Sequence, residues 1–306
     1  MSGTSAANGE SRQVEIEGRT LTLTNLDRVL WPETGFTKGE LIEYYRRVAV
    51  ALLPHLRGRP LTLGRFPHGI QRPGFAQTEC RGRPEWLPVR GVRTRGGELR
   101  RYCVVDDLAS LLWVANQNAI ELHTFLGRGG DLDSPSAVAF DLDPGVGTGL
   151  LECCRVAILL RELLAQLELG CFAKASGGAG LHVFVPLAGH RRYAATKAFA
   201  RSVAEHLAGS HGRRVTARAQ GEGRVGRVLI DWLQNSRMRT TVSAYSLRAA
   251  DRPVVSAPVT WEEVERAVAD ARPELLVFGP NEVPARLERL GDPFEPVLSL
   301  RQRLPG

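Results

Sequence analysis

No stretch of about eighteen uncharged apolar residues, the length a helix needs to cross a bilayer, occurs in the 306-residue chain. The opening MSGTSAANGESRQ has neither a basic segment nor an apolar one, so no export signal is read and a cytoplasmic protein is expected, with no membrane partner. Cysteine is scarce and odd in number, and no two form a CxxC pair. Neither a disulfide framework nor a zinc site is therefore expected, and Cys80, Cys103, Cys153, Cys154 and Cys171 read as reduced core or surface thiols. Lysine is nearly missing: Lys38, Lys174 and Lys197 are the only ones, so arginine carries almost all of the positive charge. No internal repeat and no low-complexity segment is present.

What remains is a basic, globular composition. An apolar content of 43% suffices for one large core or for two lobes sharing an interface. A net charge of +7 favours a polyanionic partner, nucleic acid by default, because cationic side chains that neutralise phosphates release counterions. The rival explanation, a genome biased toward arginine, fits the same count.

Residues 1 to about 12 are small and polar and read as a disordered tail. Val14 to Asn25 alternates apolar and polar residues about Gly18, a hairpin pattern. Thr37 and Glu40 form a capping box ahead of the apolar run LIEYYRRVAVALLPHL, which predicts a helix. Residues 57–101 are rich in Gly, Pro and Arg and predict irregular strands and loops. Asp107 to Leu126 is largely apolar and free of Gly and Pro, so a buried helix joining two lobes is expected. AVAFDLDPG predicts a buried strand ended by a Pro-Gly turn. A helix should then run from about Gly149 to Leu169, closed by Gly170. A strand, a glycine-rich loop and the strand LHVFVPL follow, then a helix around Tyr193 to Leu207. VLIDWL and TTVSAYS read as two more strands, and Thr260 with Glu263 opens a short capped helix. Strands alternating with helices in the second half indicate a sheet with helices packed on it.

Three features carry chemistry. Asp141 and Asp143 stand two apart at a strand end, so the period of two puts both carboxylates on one face, an arrangement suited to a divalent cation; a solvated strand end reads the same way. Asp231 interrupts the apolar strand VLIDWL, where an ionised carboxylate is costly unless a cation or several hydrogen bonds offset its desolvation. The alternative places it on an exposed face, paired with Arg224, Arg227 or Arg237. In SGGAGLH, Ser176 to His182, three glycines let backbone N–H groups approach an anion, a phosphate cradle or else a tight hairpin with a core histidine. The loop lacks GK[ST] and opens no helix as GxGxxG, which argues against ATPase and Rossmann readings. Gln234, Arg237, Arg239 and Arg248 follow the third carboxylate closely and suit the oxygens of a triphosphate.

Taken jointly, FDLDPG, SGGAGLH, DWLQN followed by AYSLR, TNLDRVLWPETGFTKGELIEYY and ELH resemble the polymerase domain of bacterial non-homologous end-joining ligase D and its stand-alone relatives, in the archaeo-eukaryotic primase superfamily. The likeness runs in order from about Leu21 to Trp261. It implies an α+β fold in which an RRM-like catalytic core, an antiparallel-rich sheet with flanking helices, joins an N-terminal α/β lobe. After the tail, residues 13–306 would be one domain, with an N-terminal lobe over about 13–128, a catalytic core over about 132–250 and a C-terminal extension over about 251–306. The implied metal ligands and catalytic acids are Asp141, Asp143 and Asp231, holding two Mn²⁺ or Mg²⁺ ions. The implied nucleotide site is His123, Ser176, Gly177, Gly178, His182, Arg224, Gln234 and Arg248, and the implied grip on a DNA 5′-phosphate is Arg28 with Lys38. The activity implied is template-dependent addition of nucleotides, ribonucleotides preferred, at gaps, overhangs or double-strand breaks in DNA, with Ku and a separate ATP-dependent ligase as partners near the nucleoid. No ligase motif with a nucleophilic lysine is present, so joining is expected of another polypeptide. Where the family commonly has lysine, this chain has Gly64, Thr78 and Ala179. That departure keeps open a second reading, a weak or inactive module that binds 5′-phosphorylated ends. A third, a metal-dependent phosphoesterase or nuclease, would use the same carboxylates with water as nucleophile.

Overall fold

The computed structural model describes residues 11–94, 96–218 and 222–305. The expected tail thus lies outside the described residues as far as residue 10, while Ser11 and Arg12 already belong to the first strand. That strand, Ser11–Ile16, pairs with Arg19–Thr24 as the hairpin the alternation predicts, turning at Glu17 and Gly18 in left-handed conformations. Thr37 caps the helix Lys38–Leu56 through the full capping box with Glu40.

The architecture is mixed α+β and rich in sheet. Among the described residues two six-stranded sheets carry the molecule. In the first, the strands run Thr240–Val242, Ala119–Phe125, Pro60–Arg65, Leu99–Val104 and Val89–Arg93, with Phe75–Gln77 also pairing on Pro60–Arg65. Lys38–Leu56 packs against it, anchored where Tyr45 Oη donates to the Ile120 carbonyl at 2.7 Å. In the second, the order is Val215–Thr216, Val228–Asp231, Ala137–Pro144, Leu181–Pro186, Phe172–Ala175 and Pro258–Val259. All its pairings are antiparallel except that of Val215–Thr216 with Val228–Asp231.

Alternation in the second sheet sorts its side chains by chemistry. Val138, Phe140 and Leu142, Val183 and Val185, and Val228 and Ile230 point to one face and share a core with the helices Leu150–Gln166 and Tyr193–Ser210. The other face carries Ala137, Ala139 and Phe184, which join the core of the first sheet. Asp141, Asp143, His182, Lys174 and Asp231 are in phase with that face. Helices therefore cover the apolar side, and the polar row opens toward the other half of the chain.

Four expectations are corrected. The apolar run after Asp107 is helical only over Leu108–Asn116; Asn118 then takes a left-handed φ of 58° and Ala119–Phe125 continues as a central strand of the first sheet, not a connector between lobes. The long helix ends at Gln166, and the residue that reverses the chain is Glu168, with φ 57°, rather than Gly170. TTVSAYS is extended only over Thr240–Val242, because Tyr245 adopts φ 64°. Finally, Cys80 and Cys103 are paired in a disulfide, whereas Cys153, Cys154 and Cys171 are the buried free thiols expected. The backbone explains that pairing: Cys80 N–H donates to the Arg101 carbonyl at 2.8 Å, which brings the two Cα atoms to 4.9 Å. A separation of 23 residues leaves no local spacing to betray it.

Candidate active site

Strand register assembles the acids. Asp141 lies directly opposite Asp231 on one neighbouring strand and His182 on the other, and His182 lies opposite Lys174. One row across four strands thus reads Asp231, Asp141, His182, Lys174, with Asp143 two residues further along on the same face. Asn235 fixes the row from below. Its buried amide donates to the Ala139 carbonyl at 2.7 Å and accepts from the Ala139 N–H at 2.9 Å, extending the Asp141 strand where no partner strand continues.

Charge in the row is unbalanced. Burial alone would raise Asp141, yet His182, Lys174 and Gln234 hold it below the ordinary value; His182 Nε2 stands 3.1 Å from its Oδ1, and Gln234 Nε2 donates to its Oδ2 at 3.2 Å. Asp143 is pushed up to about 6 by burial and by the Asp141 and Asp231 charges, which outweigh Arg224. Asp231 is raised for the same reasons, although its Oδ1 accepts the Leu233 N–H at 2.9 Å. Among the described residues no arginine forms a salt bridge with it: Arg237, offered as a partner or triphosphate donor, turns instead to Asp133 and to the Arg93 carbonyl.

The acids open into a cleft of about 550 Å³. Of the residues expected at a nucleotide site, His123, Ser176, Gly178, His182, Arg224, Gln234 and Arg248 line it, together with Asp141 and Asp143. Gly177 and Asp231 stand beside it rather than in its wall. The glycine loop is folded on Ser176, whose Oγ accepts from Gly178 N at 3.2 Å and Gly180 N at 3.3 Å. Gly177, at φ 74°, admits Arg248: a Cβ there would fall 2.6 Å from Arg248 Cγ. Gly145 opens the expected turn, its carbonyl accepting from Thr148 N–H at 3.0 Å, and has a second use. A Cβ on it would lie 1.7 Å from the Arg224 carbonyl oxygen, so only glycine lets the loop behind Asp143 pack against the loop that carries Arg224.

Arg28 and Lys38 line no part of this cleft. They meet on the first half of the chain, where Lys38 N–H donates to the Arg28 carbonyl and Lys38 Nζ to the Thr24 carbonyl at 2.6 Å. Burial, then Arg28 and Arg65, lowers the Lys38 ammonium to about 8, so three cations share this corner. Sequence reasoning missed Arg65 here. In the cleft it missed Thr240 and Thr241, which the strand pattern gave as scaffold, and the organising part of Asn235.

No three His, Cys, Asp or Glu side chains among the described residues are already closed round an ion position. The donor set nonetheless fits a hard divalent cation. It consists of carboxylate oxygens, two of them on acids raised first by burial and further by neighbouring carboxylate charge that a cation would relieve, beside a Gln234 Oε1 that is buried without a partner among the described residues.

The sequence profile of the LigD primase-polymerase domain matches residues 37–294. The multifunctional non-homologous end joining protein LigD of Mycolicibacterium smegmatis is 37% identical over 278 residues, 90% of this chain and 36% of that protein. The bifunctional LigD of Bacillus subtilis is 28% identical over 279 residues, 90% of this chain and 43% of that protein. The chain therefore spans well under half the length of these curated relatives. Among solved structures, the polymerase domain of Mycobacterium tuberculosis Ligase D in complex with DNA superposes with a TM-score of 0.83 at 34% identity, covering 92% of this chain and 99% of that one.

Proposed function

The chain belongs to the LigD primase-polymerase domain family, and from that premise we propose that it is a metal-dependent, template-directed nucleotidyltransferase that extends a primer 3′-end at gaps, overhangs or double-strand breaks in DNA. What carries the reading is the row of acids beside a cleft walled by a glycine loop, two histidines and two arginines. Asp141, Asp143 and Asp231 are the residues that would hold Mn²⁺ or Mg²⁺. A pair of such ions supplies charge stabilisation at the attacking and leaving oxygens of phosphoryl transfer.

The side chains do the rest. Arg248 and His123, beside the glycine loop, receive the triphosphate and neutralise charge as pyrophosphate leaves. His182 and Gln234 fix the Asp141 carboxylate so that its direction is set before substrate arrives. Arg224 offsets the repulsion that Asp143 and Asp231 feel. Arg28 and Arg65, with the buried Lys38 ammonium adding its charge behind them, suit a 5′-phosphate on the downstream side of a gap, which fixes how the duplex sits. Ribonucleotides are the expected substrates, and a DNA ligase and Ku are the expected partners.

The second reading, an end-binding module without synthesis, draws on the loss of cationic side chains at Gly64, Thr78 and Ala179. One experiment separates the two. A 5′-phosphorylated gapped duplex is incubated with labelled ribo- or deoxyribonucleotides and with each metal in turn, comparing wild type with Asp231→Ala. Extension with Mn²⁺ that is lost in the variant is expected. Duplex binding that depends on the 5′-phosphate, with no extension by a folded wild type, would replace the first reading with the second.

A further inference from the structure

Glu121 is absent from the wall of the cleft and lines instead an adjoining hollow of about 350 Å³ that shares His123 and Thr240 with it; its side chain is 16% exposed. Its carboxylate nevertheless joins three segments of chain. Oε2 lies 2.8 Å from His123 Nε2, while Oε1 accepts from Arg248 Nε at 2.9 Å and from Ala249 N–H at 3.1 Å. Arg248 continues the chain of contacts by donating from Nη1 to the Ser176 carbonyl at 3.0 Å. One carboxylate thus links the Ala119–Phe125 strand, the Leu247–Ala249 strand and, through Arg248, the glycine loop.

The local sequence explains how it fits. Ile120 and Leu122 face the core, so Glu121 and His123 share the opposite face of the strand. Gly64 is opposite Glu121 in the sheet, and any Cβ there would lie 2.8 Å from Glu121 Cβ. The missing side chain at Gly64 leaves the carboxylate undisturbed between its two partners. Because a carboxylate only accepts, His123 Nε2 must carry the proton, and Nδ1 can then donate to a phosphate oxygen only in the doubly protonated imidazolium. With Nε and one Nη1 hydrogen of Arg248 committed, its Nη2 hydrogens remain for a ligand.

We propose that Glu121 is a positioning residue, which holds His123 and Arg248 together in the orientation that takes the phosphates of a nucleoside triphosphate. The inference rests on the function proposed above and deepens it. Glu121→Gln is the decisive variant in the full chain, since it keeps size and one acceptor oxygen but cannot accept from His123 as well as from Arg248 and Ala249. Three quantities are measured: equilibrium binding of an α,β-methylene nucleoside triphosphate with Mn²⁺, KM and kcat for gap extension, and affinity for 5′-phosphorylated gapped duplex without nucleotide.

The expected result is about tenfold weaker binding of the analogue and a matching rise in KM, with kcat changed less and duplex affinity unchanged. Should Glu121→Gln also lower the melting temperature, a cycle with Arg248→Lys keeps the question decidable: Glu121→Gln should cost about twofold or less in the Arg248→Lys chain, because the residue acts through its partner. Full additivity in that cycle, or Glu121→Gln binding the analogue like wild type, overturns the positioning role alone. A folded wild type that binds no triphosphate and extends no primer overturns the functional reading and this role with it.

Discussion

Removing one charge from the acidic row should make the metal-free protein more stable while ending its chemistry. In Asp143→Asn the side-chain shape is kept, and no hydrogen bond to the Asp143 carboxylate is present among the described residues to be lost. The folded state holds this carboxyl up at about 6, against an ordinary value of 3.8, through burial and the nearby charges of Asp141 and Asp231. A raised acid binds its proton more tightly when folded, so the ionised form costs stability. That cost is absent below pH 3.8, grows as pH rises through about 6, and is complete above it. Taken at face value the shift corresponds to about 3 kcal/mol; solvent screening at this half-open strand end reduces it to about 1 to 2 kcal/mol. In a chain of this size that is a gain of roughly 2 to 4 °C in melting temperature. The assay is thermal unfolding followed by circular dichroism, at pH 8 and below pH 4, with chelator and then with millimolar Mn²⁺. Asp143→Asn should melt above wild type at pH 8 in chelator and level with it below pH 4. Mn²⁺ should reverse the order, because an ion bound only by the folded state stabilises wild type preferentially. If the variant gains nothing at pH 8, the three acids do not repel one another and the convergence argued from strand register is wrong.

Ala179 is exposed on the cleft wall, so Ala179→Lys should bring an ammonium to the triphosphate and lower KM about fivefold. Gly64→Lys should give no such gain in steady-state extension, since its Cβ would press on Glu121. Asn235→Ala should leave the Ala139 N–H and carbonyl unsatisfied in the interior, costing about 2 to 4 kcal/mol in urea unfolding. Asp292 behaves opposite to Asp143: burial would raise it, but His55, the Tyr245 hydroxyl and the Phe294 N–H hold it below 3.8. A depressed acid stabilises the fold above its unfolded value, so the advantage of wild type over Asp292→Asn should be full near neutrality and fade as pH falls below 3.8. An advantage that persists to pH 2 would contradict this.

Local signals in the sequence were reliable where one element decides the outcome by itself. The Thr37 and Glu40 capping box and the Asp141–Asp143 spacing needed no tertiary knowledge. The run after Asp107 misled because helix and buried strand are equally apolar there; the only mark of the break is Asn116, Gln117 and Asn118, and Asn118 does take the left-handed conformation that asparagine tolerates. Contacts between distant segments left no mark. Glu121 and Arg248 are 127 residues apart, Cys80 and Cys103 23 apart, and neither pair has a spacing that pattern reading can use. The apolar strand around Asp231 already suggested a cation shared with Asp141, with an exposed ion pair as the rival; family resemblance favoured the first, and strand register places the two acids opposite each other.

The scarcity of lysine carried more information than the net charge did. Much of the arginine is spent on exposed carboxylates, as in Arg46 with Glu43, Arg81 with Glu79 and Arg201 with Glu205, pairs that contribute little and say nothing of a ligand. Two of the three lysines are instead nearly fully buried and, among the described residues, have no carboxylate partner within salt-bridge distance. Lys38 lies in the corner it shares with Arg28 and Arg65, and Lys174 in the row behind His182, donating to Ser256 Oγ at 2.7 Å. Burial with Arg248 nearby lowers the Lys174 ammonium well below its ordinary value, and Asp141 opposes that shift. An ammonium is a compact point charge, whereas a planar guanidinium with five donors needs more partners to be buried without loss. In a chain that otherwise uses arginine, Lys38 and Lys174 are thus compact buried cations, the first beside Arg28 and Arg65 and the second opposite His182.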